Sequence, residues 1–370
     1  MKQLAIKPEI FEFNTCKEFC EEYKIGKGDL IITNEYIFNP LFTDLGIEAD
    51  ILYQEKYGAG EPSDEMAEAM YADMKGDYKR IIAIGGGTII DISKIFALKN
   101  VSPILDLYDR KVDIIKDKEL VLVPTTCGTG SEVTNIAILE LKSRHTKLGL
   151  AVDEMYADSA VLIPELLKGL PFKFFATSSI DALIHALESS LSPKATPYTE
   201  MFGYEAIKMI LQGYQQIVKN GQDARIPLLK DFLIASNYAG IAFGNAGCAA
   251  VHAMSYPLGG TYHVPHGEAN YALLIGVFKA YMSIDPNGKI KKMNKFIADI
   301  LDCGEDVVYE ELEKLLNQII QCKPLHEYGV KEDELKTFTE NVMEKQARLM
   351  GNNYVELSAD AVYDIYKKLY

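Results

Sequence analysis

Asp181 and His185 place a carboxylate and an imidazole four residues apart. On a helix, positions i and i+4 share a face, so the two side chains reach toward one point. His252 and His266 follow, flanking a stretch that holds Tyr256, Pro257, Gly259, Gly260, His263 and Pro265. One carboxylate and three imidazoles make a donor set of hard to intermediate character with no thiolate. Such a set suits Fe(II), Zn(II) or Mn(II). Taken singly, each histidine has a plainer reading as a hydrogen-bonded core or surface residue. Of the six histidines, only His326 lies far from these segments or from the stretch just before residue 164. Either Ser178 or Ser179 is expected to start the helix that carries the Asp–His pair.

A second chemistry is written in glycines. Gly85, Gly86, Gly87 and Thr88 follow a β-branched run over 80–84 and lead into Ile89, Ile90 and Asp91. Three residues without Cβ let backbone N–H groups approach an anion closely, and a helix start adds partial positive charge there. This suits a pyrophosphate. It is not the G-x-G-x-x-G fingerprint, because Ile90 stands in place of the third glycine. A second loop leaves the run at 120–123 through Pro124, Thr125, Thr126, Cys127, Gly128, Thr129, Gly130, Ser131 and Glu132. One such loop alone already favours a phosphate, with a plain tight turn as the alternative. Two after neighbouring parallel strands suit the phosphates and nicotinamide of one dinucleotide. Cys127 has no cation among its sequence neighbours and is expected to be a buried, inert thiol.

The elements that must carry these residues read differently in the two halves. Strand patterns at 30–33, 49–53, 80–84 and 120–123 alternate with helix patterns near 35–45, 63–75 and 88–98. That alternation implies parallel strands joined by right-handed crossovers. Runs at 136–141, 148–152 and 160–163 are candidates for added strands or a hairpin. From about 172 the strand signals stop. Phe202, Ala206, Met209/Ile210, Gly213/Tyr214 and Ile217 recur at helical spacing, with Gly221 as the stop. Ala361, Val362, Ile365, Tyr366 and Leu369 repeat the pattern after Ser358 as N-cap. The expected architecture is an α/β Rossmann-like dinucleotide-binding domain with a parallel sheet over 1–170. An all-α domain over 171–370 follows and carries metal and substrate residues. The join falls near 164–171, and a ligand pocket is expected where such domains meet.

Composition narrows the class. The chain has 370 residues, with 38 Lys plus Arg against 53 Asp plus Glu, a net charge of −15. Nucleic acid or an anionic membrane needs a basic face, so neither is expected as a partner. Hydrophobic residues make up 48% and charged ones 25%, which excludes wholesale disorder. No apolar stretch has the length of a leader or a membrane span. The six cysteines form no C-x-x-C pair. Cys16 and Cys20 suit one helix face. Free thiols and a cytoplasmic location are expected.

Four motifs, GGGT-x-x-D, PTT-x-GTGSE, DAL-x-HA-x-E and H-x13-H-G-E, occur in this order. Together they resemble the iron-containing alcohol dehydrogenases, whose architecture is shared with dehydroquinate synthase, and the resemblance spans essentially the whole chain. It implies NAD(P) on the N-terminal domain and a metal, Fe(II) or alternatively Zn(II), in the cleft beside a helical domain. The family's ligands fall on Asp181, His185, His252 and His266. Its pyrophosphate loop falls on Gly85, Gly86, Gly87 and Thr88, with Asp91 behind. Its nicotinamide-side loop falls on Thr125, Thr126, Thr129 and Ser131. A homodimer is a further expectation. KYG-x-GEPSDEM, PTTCGTGSEVTN, SNYAGIAFGNAG and SYP-x-GG-x-YHVPHGEANY are similar to the branch that interconverts 4-hydroxybutyrate and succinate semialdehyde with NAD(H). The alternatives are a dehydrogenase for butanol, diols or other short primary alcohols, and, from another class, a lyase using NAD transiently or a non-catalytic dinucleotide sensor.

Two positions depart from the family pattern. Tyr256 stands where many members carry a His assigned to proton transfer or substrate contact, so it is the candidate for that hydrogen bond. Asn34 stands where NAD-preferring members carry an Asp that grips the ribose. No Lys or Arg stands beside Asn34, and a 2′-phosphate wants a cation, so NAD is expected over NADP. For a substrate carboxylate, the candidates are the basic cluster of Arg144, His145 and Lys147 and the polar residues Tyr256, His263, Asn245 and Asn135.

Overall fold

A computed structural model describes residues 2–144 and 146–370. The chain divides into two compact units, one over 6–170 and one over 171–370 that also includes the N-terminal residues 2–5. The short N-terminal segment joins the second unit through Asn245, whose side chain accepts from the Ala5 N–H (2.7 Å) and donates to the Ala5 carbonyl (3.0 Å).

The strands of the first unit are β1 (Glu9–Glu12), β2 (Asp29–Thr33), β3 (Asp50–Tyr53), β4 (Arg80–Gly85), β5 (Glu119–Pro124), β6 (Ile136–Leu141), β7 (Thr146–Ala151) and β8 (Ser159–Leu162). Its helices are α1 (Cys16–Tyr23), α2 (Glu35–Phe42), α3 (Asp64–Ala72), α4 (Gly87–Phe96) and α5 (Ile104–Tyr108). Six strands form one sheet in the order β1-β8-β5-β4-β2-β3, and every pairing is parallel. The central strands are buried apart from Arg80 and Glu119 at the starts of β4 and β5, which is why they read as continuous Ile, Leu and Val runs. The chain passes outward from β2 to β3, returns to β4 on the other side of β2, and continues to β5. The direction of winding therefore reverses between β2 and β4. In open parallel sheets a ligand crevice opens at such a reversal, over the carboxyl ends of the strands.

Of the three runs left open by the sequence, 136–141 pairs antiparallel with Thr146–Ala151 as a hairpin, and Ser159–Leu162 joins the main sheet between β1 and β5. β1 carried no strand signal. It is four residues long, lies at the sheet edge and is largely exposed, so it has no apolar run to read.

Lys94, in the last turn of α4, is wholly buried. Its ammonium donates to Ser131 Oγ (2.6 Å), Thr134 Oγ1 (3.0 Å) and the Ile136 carbonyl (2.8 Å), with Asp91 Oδ1 at 3.7 Å. Asp91 in turn accepts from Ser131 Oγ (2.6 Å) and the Ile138 N–H (2.9 Å). This network ties the loop after β5 to the helix after β4.

The second unit consists of α6 (Phe172–Leu191), α7 (Pro197–Asn220), α8 (Leu229–Ala246), α9 (Ala250–Tyr262), α10 (His266–Ile284), α11 (Gly288–Leu301), α12 (Val308–Ile319), α13 (Leu335–Lys345), α14 (Ala347–Met350) and α15 (Ala359–Leu369). From Ser179 to Leu191 every residue of α6 is buried, so this helix is the axis of the bundle. Gly221 ends α7, and the Ser358 side chain caps α15 by accepting from the Ala361 N–H. The expected start of α6 at Ser178 or Ser179 is corrected: the helix begins at Phe172, after Pro171. Both serines lie inside it and turn their hydroxyls back onto the Phe175 carbonyl (3.2 and 2.8 Å). Hydroxyls do this in helix interiors as readily as they cap, so a serine alone does not mark a start. All six cysteines are free thiols. Among the described residues no helix is long and apolar enough to cross a membrane.

Burial lowers the Lys94 ammonium from its ordinary 10.5 to about 8, against the pull of Asp91 and Glu132. Between those values the unfolded chain binds more protons, so this group adds stability as pH rises from 8 to 10.5. Lys94→Met should remove that slope and lower stability by about 1–3 kcal/mol, because Ser131, Thr134 and the Ile136 carbonyl lose their buried donor. Lys7, in a half-exposed pair with Asp153, is the contrast; Lys7→Met should cost no more than about 1 kcal/mol. Urea unfolding across pH reads both, and equal midpoints for the two variants would contradict this account.

Candidate metal centre and glycine loops

α6 presents Asp181, His185 and Glu188 on one buried face, α9 adds His252, and α10 opens on His266. Ligand atoms of Asp181, His185, His252 and His266 all lie within 4.8 Å of one another. Asp181 Oδ1 stands 3.7 Å from His252 Nε2 and 3.8 Å from His266 Nε2, while Oδ2 stands 3.9 Å from His185 Nδ1. These gaps are too long for hydrogen bonds. They suit donors around a shared ion, since atoms about 2.1 Å from one centre lie about 3–4 Å apart.

His252 supplies the test of fit. Its Nδ1 meets Glu188 Oε2 at 2.6 Å, while its Nε2 is buried with no hydrogen-bond partner. With Nδ1 donating to that carboxylate, Nε2 is free to give its lone pair to a cation beside Asp181. An orphaned buried ring nitrogen costs about 1–3 kcal/mol unless something completes it, and a cation in place of a proton does. Burial raises the Asp181 carboxyl, but His185, His266 and His252, with the Asn270 amide, outweigh it and hold the group below its usual range. Burial acts to lower His252, yet Cys248 and Glu188 beside it carry the imidazole well above its ordinary value. The pocket is built to hold positive charge.

Three supports were not legible as such. Glu188, the last residue of DAL-x-HA-x-E, also accepts from the N–H groups of Ala249 (3.0 Å) and Val251 (2.6 Å) at the start of α9. One carboxylate thus holds both the helix and its ligand. Glu188, Cys248 and His252 also come within metal-ligand reach of each other. The Glu188 oxygens are already committed there, and the thiol of Cys248 is raised by burial, so the four-residue cluster is the better cation site. Asn270, one turn after His266, donates to Asp181 Oδ1 at 2.7 Å. Gly267 brings α10 against α6: a Cβ there would stand 2.2 Å from the Thr177 carbonyl oxygen. His266 reaches the cluster only because its neighbour has no side chain.

Tyr256 lies one turn beyond His252 on α9, its ring 6.4 Å from that of His266. His263 ends α9 with φ of 54°. The other polar candidates are engaged elsewhere. Asn245 holds the Ala5 backbone, Asn135 donates to Asp153 (3.2 Å), Arg144 pairs with Asp109 (2.6 Å) and Lys147 with Glu61. His145 lies outside the described residues.

In the first unit, β4 ends at Gly85, Gly86 is the N-cap of α4 and Gly87 its first residue. A Cβ on Gly87 would stand 2.9 Å from Thr129 Cγ2, so the two loops approach at van der Waals contact. Thr125 continues the pairing of β5, its N–H donating to the Gly85 carbonyl (3.1 Å), and the Thr88 hydroxyl donates to Gly60 (3.0 Å). The side chains of Asp91 and Ser131 are turned onto each other and Lys94. Cys127 is buried. Asn34 follows β2 and donates to Gln54 (3.1 Å) and Glu55 (2.9 Å).

A parallel Rossmann-type unit with paired glycine loops and a helical unit with a largely buried Asp–His₃ cluster define a class of metal-dependent dehydrogenase. The chain belongs to the iron-containing alcohol dehydrogenase family: residues 9–164 match the model for "Iron-containing alcohol dehydrogenase" and residues 175–370 that for "Fe-containing alcohol dehydrogenase family, C-terminal". It is 55% identical over 372 residues to the 4-hydroxybutyrate dehydrogenase of Clostridium kluyveri, with 100% of each chain covered. It is 31% identical over 369 residues to long-chain-alcohol dehydrogenase 1 of Geobacillus thermodenitrificans, covering 93% of this chain and 91% of that one. The sulfoacetaldehyde reductase of Bifidobacterium kashiwanohense, solved in complex with NAD+, shares the fold. Its TM-score is 0.84 at 22% identity, over 100% of this chain and 98% of that one.

His252→Ala and His266→Ala should each abolish stoichiometric iron after anaerobic loading and remove turnover with it. Metal analysis beside an activity assay checks this, and full turnover in either variant would sink the ligand assignment. Glu188→Gln should keep the fold but weaken metal affinity by about 10–100-fold, read by competition with a chelator.

Proposed function

We propose that this chain interconverts 4-hydroxybutyrate and succinate semialdehyde with NAD(H). The observation that carries the reading is 55% identity over the full length to a 4-hydroxybutyrate dehydrogenase; the Asp181, His185, His252 and His266 cluster supports it. The first unit binds the dinucleotide and the second holds metal and substrate.

Asp181, His185, His252 and His266 hold Fe(II), with Zn(II) as the alternative ion. A divalent ion there would supply Lewis-acid chemistry to the alcohol or aldehyde oxygen, while the carbon that bears it is oxidised or reduced. A bound nicotinamide would supply the hydride chemistry, NAD+ as acceptor in alcohol oxidation and NADH as donor in aldehyde reduction. The backbone N–H groups of Gly86, Gly87 and Thr88 receive the pyrophosphate at the start of α4. Gly85 gives the turn its tightness. Thr125, Thr126 and Thr129 line the nicotinamide side, while Asp91 and Ser131 act through Lys94 to keep the two loops in register. Asn34 meets the ribose. Glu188 and Asn270 orient His252 and Asp181, so the ligands pay little reorganisation when the ion binds. The Tyr256 phenol takes the hydrogen bond at the reacting oxygen that a histidine takes in other members. Tyr256 on α9 and His263, the residue that follows the helix, are polar candidates for the substrate carboxylate.

The partner is a small hydroxy acid or its semialdehyde. The net charge of −15 disfavours nucleic acid and anionic membranes. Six free thiols support a cytoplasmic location, and we propose a homodimer.

The test is NADH formation by anaerobic, Fe(II)-loaded protein offered 4-hydroxybutyrate, 1-butanol and 1,4-butanediol at equal concentration, repeated with a chelator. Chelator-sensitive turnover that strongly favours 4-hydroxybutyrate is expected. Equal or faster turnover of the uncharged alcohols would keep the metal and discard the substrate. Tyr256→Phe should lower kcat about 10²–10⁴-fold with metal content unchanged if its hydroxyl serves proton transfer; an unchanged kcat would remove Tyr256 from the mechanism.

A further inference from the structure

The sheet reverses its winding between β2 and β4, so a nucleotide whose pyrophosphate rests on α4 extends its adenosine ribose toward the end of β2. Dinucleotide-binding sheets place a carboxylate near this point to accept from the ribose 2′-hydroxyl. Here β2 ends at Asn34, which is neutral.

The neighbouring strand supplies the missing charge. Glu55 lies in the 3-10 turn that follows β3. Its Oε2 accepts from Asn34 Nδ2 (2.9 Å) and its Oε1 from the Glu35 N–H (2.6 Å). Asn34 gives its other amide hydrogen to Gln54 Oε1 at 3.1 Å. Two acceptors on one side settle which amide atom faces them, so Oδ1 takes the opposite side. Asn34 is the N-cap of α2, yet its side chain makes no capping bond. A neutral acceptor and a full negative charge therefore stand together where β2 and β3 end. Glu35 adds a second carboxylate. No Lys or Arg occurs from Gly28 through Glu55. Lys56 follows, with its ammonium over the Tyr53 ring at 5.1 Å.

We propose that Asn34 and Glu55 together set the choice of NAD(H) over NADP(H). Asn34 Oδ1 accepts from the 2′-hydroxyl, and Glu55 repels a 2′-phosphate. Two residues divide the work that one carboxylate does at the end of a single strand. Because Glu55 is anchored by a backbone N–H and a buried amide, its charge is fixed in place. The inference rests on the reading of the glycine loops as the NAD(H) site.

The test is calorimetric titration of the full-length protein with NADH and with NADPH, for the unsubstituted chain, Glu55→Gln, Glu55→Lys and Asn34→Ala. The unsubstituted protein should prefer NADH. NADPH affinity should rise about tenfold or more at Glu55→Gln and further at Glu55→Lys, following the charge. A thermal midpoint and circular dichroism spectrum like those of the unsubstituted chain show that the Glu55 variants are folded, since Glu55 also holds Asn34. Asn34→Ala should weaken NADH by about 5–10-fold, the worth of one hydrogen bond. NADPH affinity that stays flat from Glu to Gln to Lys, in proteins that bind NADH, overturns the proposal alone. Absence of NADH binding to the unsubstituted protein overturns the nucleotide reading and the proposal with it.

Discussion

The helical unit depends on one electrostatic constraint: a carboxylate and two imidazoles are buried together beside a third, part-exposed imidazole, and the buried Nε2 of His252 has no hydrogen-bond partner. Buried polar groups must be satisfied, and a cation satisfies all four at once. That requirement explains the packing around them. α6 is buried from Ser179 to Leu191 because both Asp181 and the carboxylate that steadies His252 ride on it. α9 begins where it does because Glu188 receives two of its first N–H groups. α10 comes close enough to deliver His266 because Gly267 has no side chain to hold it away. His252 and His266 are thus placed at helix starts, and Asp181 and His185 by the buried interior of α6.

The α/β unit solves a related problem with a lysine. Lys94 sits fully buried between two loops and bonds three oxygen acceptors from the loop and strand that follow β5. Asp91 and Ser131 belong to the same network. Their value to a nucleotide is indirect. They fix the spacing between the glycine turn after β4 and the hydroxyl-rich turn after β5, and that spacing decides whether one ligand can touch both. A motif residue can therefore matter to binding while its side chain faces the protein interior.

Much was legible before any coordinates. The central strands were readable because strands buried on both faces become unbroken apolar runs. The boundary between strand and helix patterning was readable because short unbroken apolar runs give way to a 3.6-residue period. β1 was not, since a short exposed edge strand needs no apolar pattern. The start of α6 was misplaced, since a serine hydroxyl serves a helix interior as well as a cap. Asp181 and His185 announced themselves by an i, i+4 spacing that one helix enforces. His252 and His266 had no such local link, and only the four motifs taken together joined them to the pair.

The sequence by itself determined the residue types, the order of strands and helices, and the family, because these are properties of local periodicity and of motifs that stay contiguous along the chain. Tertiary structure alone decided which side chains meet. It paired Glu188 with His252, set Asn270 on Asp181, closed Asp91 onto Ser131 and brought Glu55 beside Asn34, across separations of 64, 89, 40 and 21 residues. The physical reason is that hydrogen bonds and charge contacts act over a few ångströms in space, and nothing in a linear pattern encodes which distant oxygen will come within that reach.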